Sequence, residues 1–217
     1  MLPDLRGHGE SNRMAGPPAG KYSLNLIAED VFSLMEHLHI EKAHFVGGSF
    51  GATLIRIMQE IHPERFNRVV TAGGVLRLRP SIYMVFKTGE LLFPYVDKYF
   101  LYKIMAYFIM PRKNHARSRR VFLDTAKNID LKEYVSWIVM LNEAKQRLDK
   151  LFNEPFKTPT LLIMGRQDHA FLKDAIRFCS QYPATLLQII PSCGHVSNIE
   201  RFPEFNKLAL SFLMHKE

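Results

Sequence analysis

The sequence predicts an α/β protein: a mostly parallel sheet with helices on both faces and a helical cap inserted into it. Three observations carry this expectation. Short apolar runs alternate with segments of helical spacing, the alternation stops after Pro80, and it resumes at Pro155. Apolar runs flanked by helices are the pattern of strands buried on both faces. The 217 residues therefore divide into a first core part at 1–80, a helical cap at 81–154 and a second core part at 155–217.

The elements follow in order. In "SLNLIAEDVFSLMEHLHI", Leu24, Ile27, Ala28, Val31, Leu34, Met35 and Leu38 recur at helical spacing, with Ser23 in the N-cap position. "KAHFVGG" reads as a short strand, and "FGATLIRIMQEI" as a helix stopped at His62-Pro63. "FNRVVTAGG" is a second strand closed by its glycines. Residues 81–150 read as helical throughout, with nine aromatics between 81 and 110. Then come strand "TPTLLIMG", helix "AFLKDAIRFCSQY", strand "TLLQII" and a closing helix "FPEFNKLALSFLMH".

Composition narrows the class. With 47% apolar and 23% charged residues the chain reads as an ordinary soluble globular protein. The net charge of +8 is partly concentrated in "PRKNHARSRR", which reads as a solvated basic face, with an anion or membrane-surface patch as the alternative. No nucleic-acid partner is expected. Two cysteines, Cys179 and Cys193, make no disulfide framework, which fits a reducing cytoplasm. The N-terminus lacks the apolar stretch of a signal peptide, and charges interrupt the most apolar window, so no stable membrane insertion is expected.

The chemistry centres on "HFVGGSFGATLIR", where Gly47, Gly48 and Gly51 surround Ser49 between a strand and a helix. Gly-x-Ser-x-Gly in that setting is what a nucleophile elbow needs: a tight turn that holds the hydroxyl clear of the sheet. Side chains at Gly47 and Gly51 would be expected to collide with the neighbouring strand and helix. A plain glycine-rich turn with Ser49 as helix cap explains the pentapeptide as well. A Walker A phosphate loop does not, because the Lys-Ser/Thr pair is missing. The deciding question is whether a base and an acid follow. Asp168, in "LLIMGRQDHAF", and His195, in "LLQIIPSCGHVSNIERFPEF", each sit just beyond the end of a strand. Open parallel sheets place their sites there. Asp168 alone would be read as a capping residue of the next helix. Cys193 reads as a packed side chain, and no His or Cys spacing suggests zinc.

These motifs together resemble the α/β-hydrolase-fold superfamily of esterase- and lipase-like proteins. "PDLRGHGES" resembles the turn after that family's fourth strand, "GGSFG" its elbow, "MGRQDHAF" its acid loop and "CGHVSNIERFPEF" its histidine loop. The doubled glycine is similar to the elbow of proline iminopeptidases, which carry Trp where Phe50 stands. The resemblance implies a serine hydrolase of an ester or related acyl substrate, with catalytic Ser49, Asp168 and His195. It also implies an oxyanion contact from the Phe50 backbone N–H, and no metal or organic cofactor. The family's first three strands, with the loop giving the second oxyanion donor, have no counterpart here. The chain is thus expected to be N-terminally truncated. Four strands would remain, at 42–47, 68–73, 159–164 and 185–190, the first an exposed apolar edge open to self-association. A non-catalytic fragment or interaction protein of the same fold is the alternative.

Overall fold

Ser23 begins the first helix as its position predicts. Its hydroxyl accepts the Leu26 N–H at 3.2 Å, and α1 (Leu24–His37) buries Leu24, Ile27, Ala28, Val31, Phe32 and Met35. The computed structural model describes residues 1–13, 22–92, 94–127, 129 and 131–214. After α1 come β1 (Ala43–Gly48), α2 (Phe50–Ile61) and β2 (Phe66–Ala72). Four helices follow: α3 (Pro80–Leu92), α4 (Lys98–Ile109), α5 (Ala116–Lys127) and α6 (Leu131–Leu151). The chain then closes through β3 (Thr160–Gly165), α7 (Leu172–Gln181), β4 (Leu186–Ile190), a short α8 (Ser197–Glu200) and α9 (Phe202–Leu213).

The four strands form one parallel sheet in the order β1-β2-β3-β4. Each falls within one or two residues of its expected span. β3 is buried at every position, and its side chains alternate between two cores. Leu161 and Ile163 pack with Phe205 and Ala209 of α9, whereas Leu162 and Met164 pack with Ala175 and Phe178 of α7. Helices thus cover both faces, as the continuous apolar run required. β1 lies at one edge, with His44 and Val46 exposed, and residues 1–5 pair with no strand.

Two expectations change in detail. The segment after Pro80 is not one helical run: turns at 94–96 and a 3₁₀ turn at Lys113–His115 divide it, and Pro94 and Pro111 mark both breaks. Positions 93, 128 and 130 of that segment lie outside the described residues, as does His215 of the expected closing helix.

One buried cation ties the helical segment back to the sheet. The Arg56 guanidinium, on α2, donates to the carbonyls of Leu151, Glu154 and Pro155, at the exit from α6. It also lies 4.3 Å from the Phe156 ring centre. Burial pulls its pKa down to about 10. It remains a cation at neutral pH, paired with carbonyl oxygens at the helix exit, of which that of Leu151 also accepts the Glu154 N–H.

Candidate active site

Ser49 is not a helix cap. It occupies the N-cap position of α2, yet its side chain makes no capping bond, and its backbone sits at φ 49°, ψ −113°. Instead Ser49 Oγ lies 2.8 Å from His195 Nε2, and His195 Nδ1 lies 2.8 Å from Asp168 Oδ2. A carboxylate only accepts, so the imidazole proton belongs on Nδ1, leaving Nε2 to accept the serine hydroxyl. Asp168 and His195 are almost fully buried, at 1% and 3% exposure, which shields the pair from water.

Local geometry explains how each residue arrives there. The Ser49 N–H donates to the Ala72 carbonyl, so the turn is pinned to the end of β2. A Cβ on Gly47 would fall 2.6 Å from Ile55 Cδ1 and 2.7 Å from the Gly51 backbone, so a side chain there is excluded. At Gly51 the expectation fails, because a Cβ would meet nothing within 4 Å. That position faces the open cavities beside residues 3–5.

Asp168 satisfies both readings of its position. Its Oδ1 accepts the N–H groups of Ala170 and Phe171 ahead of α7, while Oδ2 holds His195. The capping bonds fix the carboxylate, and the free oxygen aims the imidazole. Phe171 packs against the His195 ring at 5.0 Å between centres. The opposite wall is Gly73, at φ 58°, where a Cβ would lie 2.1 Å from the His195 carbonyl and 3.0 Å from Nδ1.

The Phe50 N–H opens α2, so helix geometry gives it no intrahelical acceptor, as an oxyanion donor requires. Cys193 and the neighbouring histidines sit elsewhere. Cys193 is fully buried, and burial pushes its thiol up to about 12, far from a reactive thiolate. His169 turns toward Phe108, His62 pairs with Glu64, and His8 lies edge-on to Trp137. Among the described residues, no cluster of three His, Cys, Asp or Glu side chains is placed to hold a metal, and no helix is long and apolar enough to cross a membrane.

The family profile described as alpha/beta hydrolase fold matches residues 1–102. The chain has the α/β-hydrolase fold. The chain is 26% identical over 221 aligned positions to the 2-hydroxymuconate semialdehyde hydrolase of Pseudomonas putida, covering 98% of this chain and 76% of that one. Among solved structures, a hydrolase from Pseudomonas aeruginosa matches with a TM-score of 0.78 at 22% identity, covering 98% of this chain and 78% of that one. The enol-lactonase from Burkholderia xenovorans matches at 0.76 and 23%, with coverages of 98% and 79%. Both structures share the fold of this chain.

Three contributors were missed in the sequence. Gly73 was legible as the glycine pair closing a strand, but nothing tied it to His195. Gly165 is the second: a Cβ there would lie 1.9 Å from the Gly194 carbonyl, so the loops carrying Asp168 and His195 touch. Trp137 is the third. It packs edge-on to Phe50 at 5.0 Å between ring centres, on the wall of an apolar cavity beside the elbow.

Proposed function

We propose that this protein of α/β-hydrolase fold is a serine hydrolase of esters or related acyl compounds. Ser49 attacks the carbonyl carbon, His195 Nε2 takes its proton and returns it to the leaving group, and Asp168 holds the imidazole in the required tautomer. Water then clears the acyl-enzyme by the same base. The Phe50 N–H accompanies the developing oxyanion, where one such donor is worth about 3 kcal/mol of barrier. The observation that carries this reading is the unbroken Ser49–His195–Asp168 chain of 2.8 Å contacts, with Ser49 held in a turn its hydroxyl does nothing to cap.

Residues 81–154 act in this reading as a cap over a core made of 1–80 and 155–217. A cavity of about 180 Å³ lies between them, walled by Phe50, Leu101, Met105, Phe122, Trp137 and Leu141 among others. Among the described residues, no charged side chain lines it. Placing a carboxylate there would cost several kcal/mol of lost hydration, so the group it receives is uncharged and apolar. Its volume compares with an apolar cavity of about 150 Å³ that holds benzene, which sets the scale of the acyl or aryl group.

The free thiols Cys179 and Cys193 support a cytoplasmic location. The outer edge of β1, with Val46 exposed, is proposed as a surface for self-association, which sedimentation at increasing concentration measures.

The direct test is a fluorophosphonate probe followed by peptide mapping. Labelling is expected at Ser49 alone and is expected to vanish in Ser49→Ala. Labelling that persists in that variant removes Ser49 from the role. A series of nitrophenyl esters should then favour uncharged acyl groups over those bearing a carboxylate.

A further inference from the structure

The helical segment touches the loops of Asp168 and His195 at one buried polar corner. His115 and Ser118, at the start of α5, are 0% and 1% exposed, and the Glu200 side chain facing them is 3% exposed. Glu200 Oε2 accepts the Gly194 N–H at 2.6 Å, which fixes the peptide just before His195. Its other oxygen, Oε1, accepts the Ser118 hydroxyl at 3.0 Å. The Arg112 N–H points at His115 Nδ1, so Nε2 carries the proton and donates to Gln167 Oε1 at 2.9 Å. Asn114 Nδ2 donates to the same oxygen and to the Ser192 carbonyl. Gln167 immediately precedes Asp168, and Ser192 and Gly194 lie on the His195 loop.

Gly194 has no freedom in this arrangement. A Cβ there would fall 2.6 Å from His115 Nε2 and 2.9 Å from Glu200 Oε1. The helical segment therefore grips both loops at once, through three residues within five positions of the chain.

We propose that the Asn114–Ser118 corner, acting through Glu200 and Gln167, sets the position of His195 against Asp168 and Ser49. In this assignment Glu200, Ser118 and His115 are positioning residues, and the inference rests on the hydrolase reading for its catalytic consequence. The physical logic is that imidazole placement must hold within a fraction of an ångström, and a 1 Å misplacement from a remote change costs about 10²-fold. A loop with only its own backbone bonds would not hold it so closely. The buried carboxylate, accepting one donor from each side, welds the base loop to α5.

Two readouts test this on the full chain, the saturable rate of fluorophosphonate labelling and the His195 Nδ1 proton seen by NMR. The proton is followed in a Ser49→Ala background and assigned by its loss in His195→Gln. Glu200→Ala is expected to lower the limiting labelling rate by about 10²-fold at unchanged half-saturating probe, and to speed exchange of the His195 proton. Ser118→Ala, which removes one hydrogen bond, is expected to cost about tenfold. Glu200→Gln should recover most of the rate. Its oxygen can accept from Gly194 while its amide donates to Ser118, whose own proton turns to the His115 carbonyl 3.0 Å away. Native labelling with a protected His195 proton in Glu200→Ala overturns the proposal, as does a Glu200→Gln variant no faster than Glu200→Ala. If Glu200→Ala fails to fold, Ser118→Ala decides by the same readouts. If the native chain does not label at all, the hydrolase reading falls, and the proton measurement alone decides whether the corner positions His195.

Discussion

Around His195, Gly73, Gly165 and Gly194 leave no room for a single added carbon, each Cβ falling within 3 Å of a backbone or side-chain atom. In α3 and α4 of the helical segment the opposite holds. Among the described residues, α3 buries Ile82 alone and α4 buries Leu101 and Ala106, while Met84, Leu91, Phe100, Ile104 and Tyr107 stand exposed. Gly89 of α3, on the cavity wall, has nothing within 4 Å of a would-be Cβ. Close packing makes the strand ends intolerant, because protein interiors respond to even one methylene. The loosely buried helices can change their side chains without moving the elbow. In the proposed function, reaction geometry is set by the rigid part, and the fit of the apolar group by the forgiving one.

The most damaging way to probe the rigid side is at the hydrogen-bonded chain itself. Asp168→Asn is expected to reduce turnover by about 10⁴-fold, since the imidazole would lose its tautomer. His195→Ala, which loses the base outright, should be at least as inactive on an activated ester. A His195→Ala enzyme with normal turnover would show that His195 is not the base.

Next in size is the glycine contrast. Gly73→Ala adds a methyl 2.1 Å from the His195 carbonyl at a backbone φ of 58°. Overpacking of this kind costs about 1–3 kcal/mol, so urea denaturation should show that loss together with slowed labelling. Gly51→Ala, with open space, should leave both unchanged. Equal effects at the two sites would erase the difference drawn between packed and open glycines beside the site.

The smallest effect belongs to the helical side. Gly89→Leu should shift ester preference toward shorter acyl groups while keeping the labelling rate of Ser49. Replacing an interior helical glycine also recovers up to about 1 kcal/mol of helix propensity, so its melting temperature should not fall. An unchanged chain-length profile would detach the cavity from substrate selection.

Much of the rigid side was legible in the sequence, for a physical reason. Strand, turn and helix signals are local, and Ser49, Asp168 and His195 each stand just past the end of an apolar run. The sheet's parallel topology then brings those ends together without further information. The dual use of Asp168 was also visible as two competing readings, and the structure keeps both. What stayed hidden depends on contacts across the chain. Ser118 and Glu200 are 82 positions apart, and neither carries a local pattern that announces the other. Gly51 misled because its place in the pentapeptide suggested crowding, which only the direction of its missing side chain could refute.

The backbone of Ser49 has one more implication. At φ 49° and ψ −113° an L-residue sits where only glycine is at ease, a conformation that costs about 1–3 kcal/mol. The fold would gain from giving that position up: Ser49→Gly should melt at a higher temperature than the native chain while losing all reaction with the probe. The serine is then a tax on stability levied at one residue, and the size of the gain on its removal measures how much robustness the molecule forgoes to keep a hydroxyl in place.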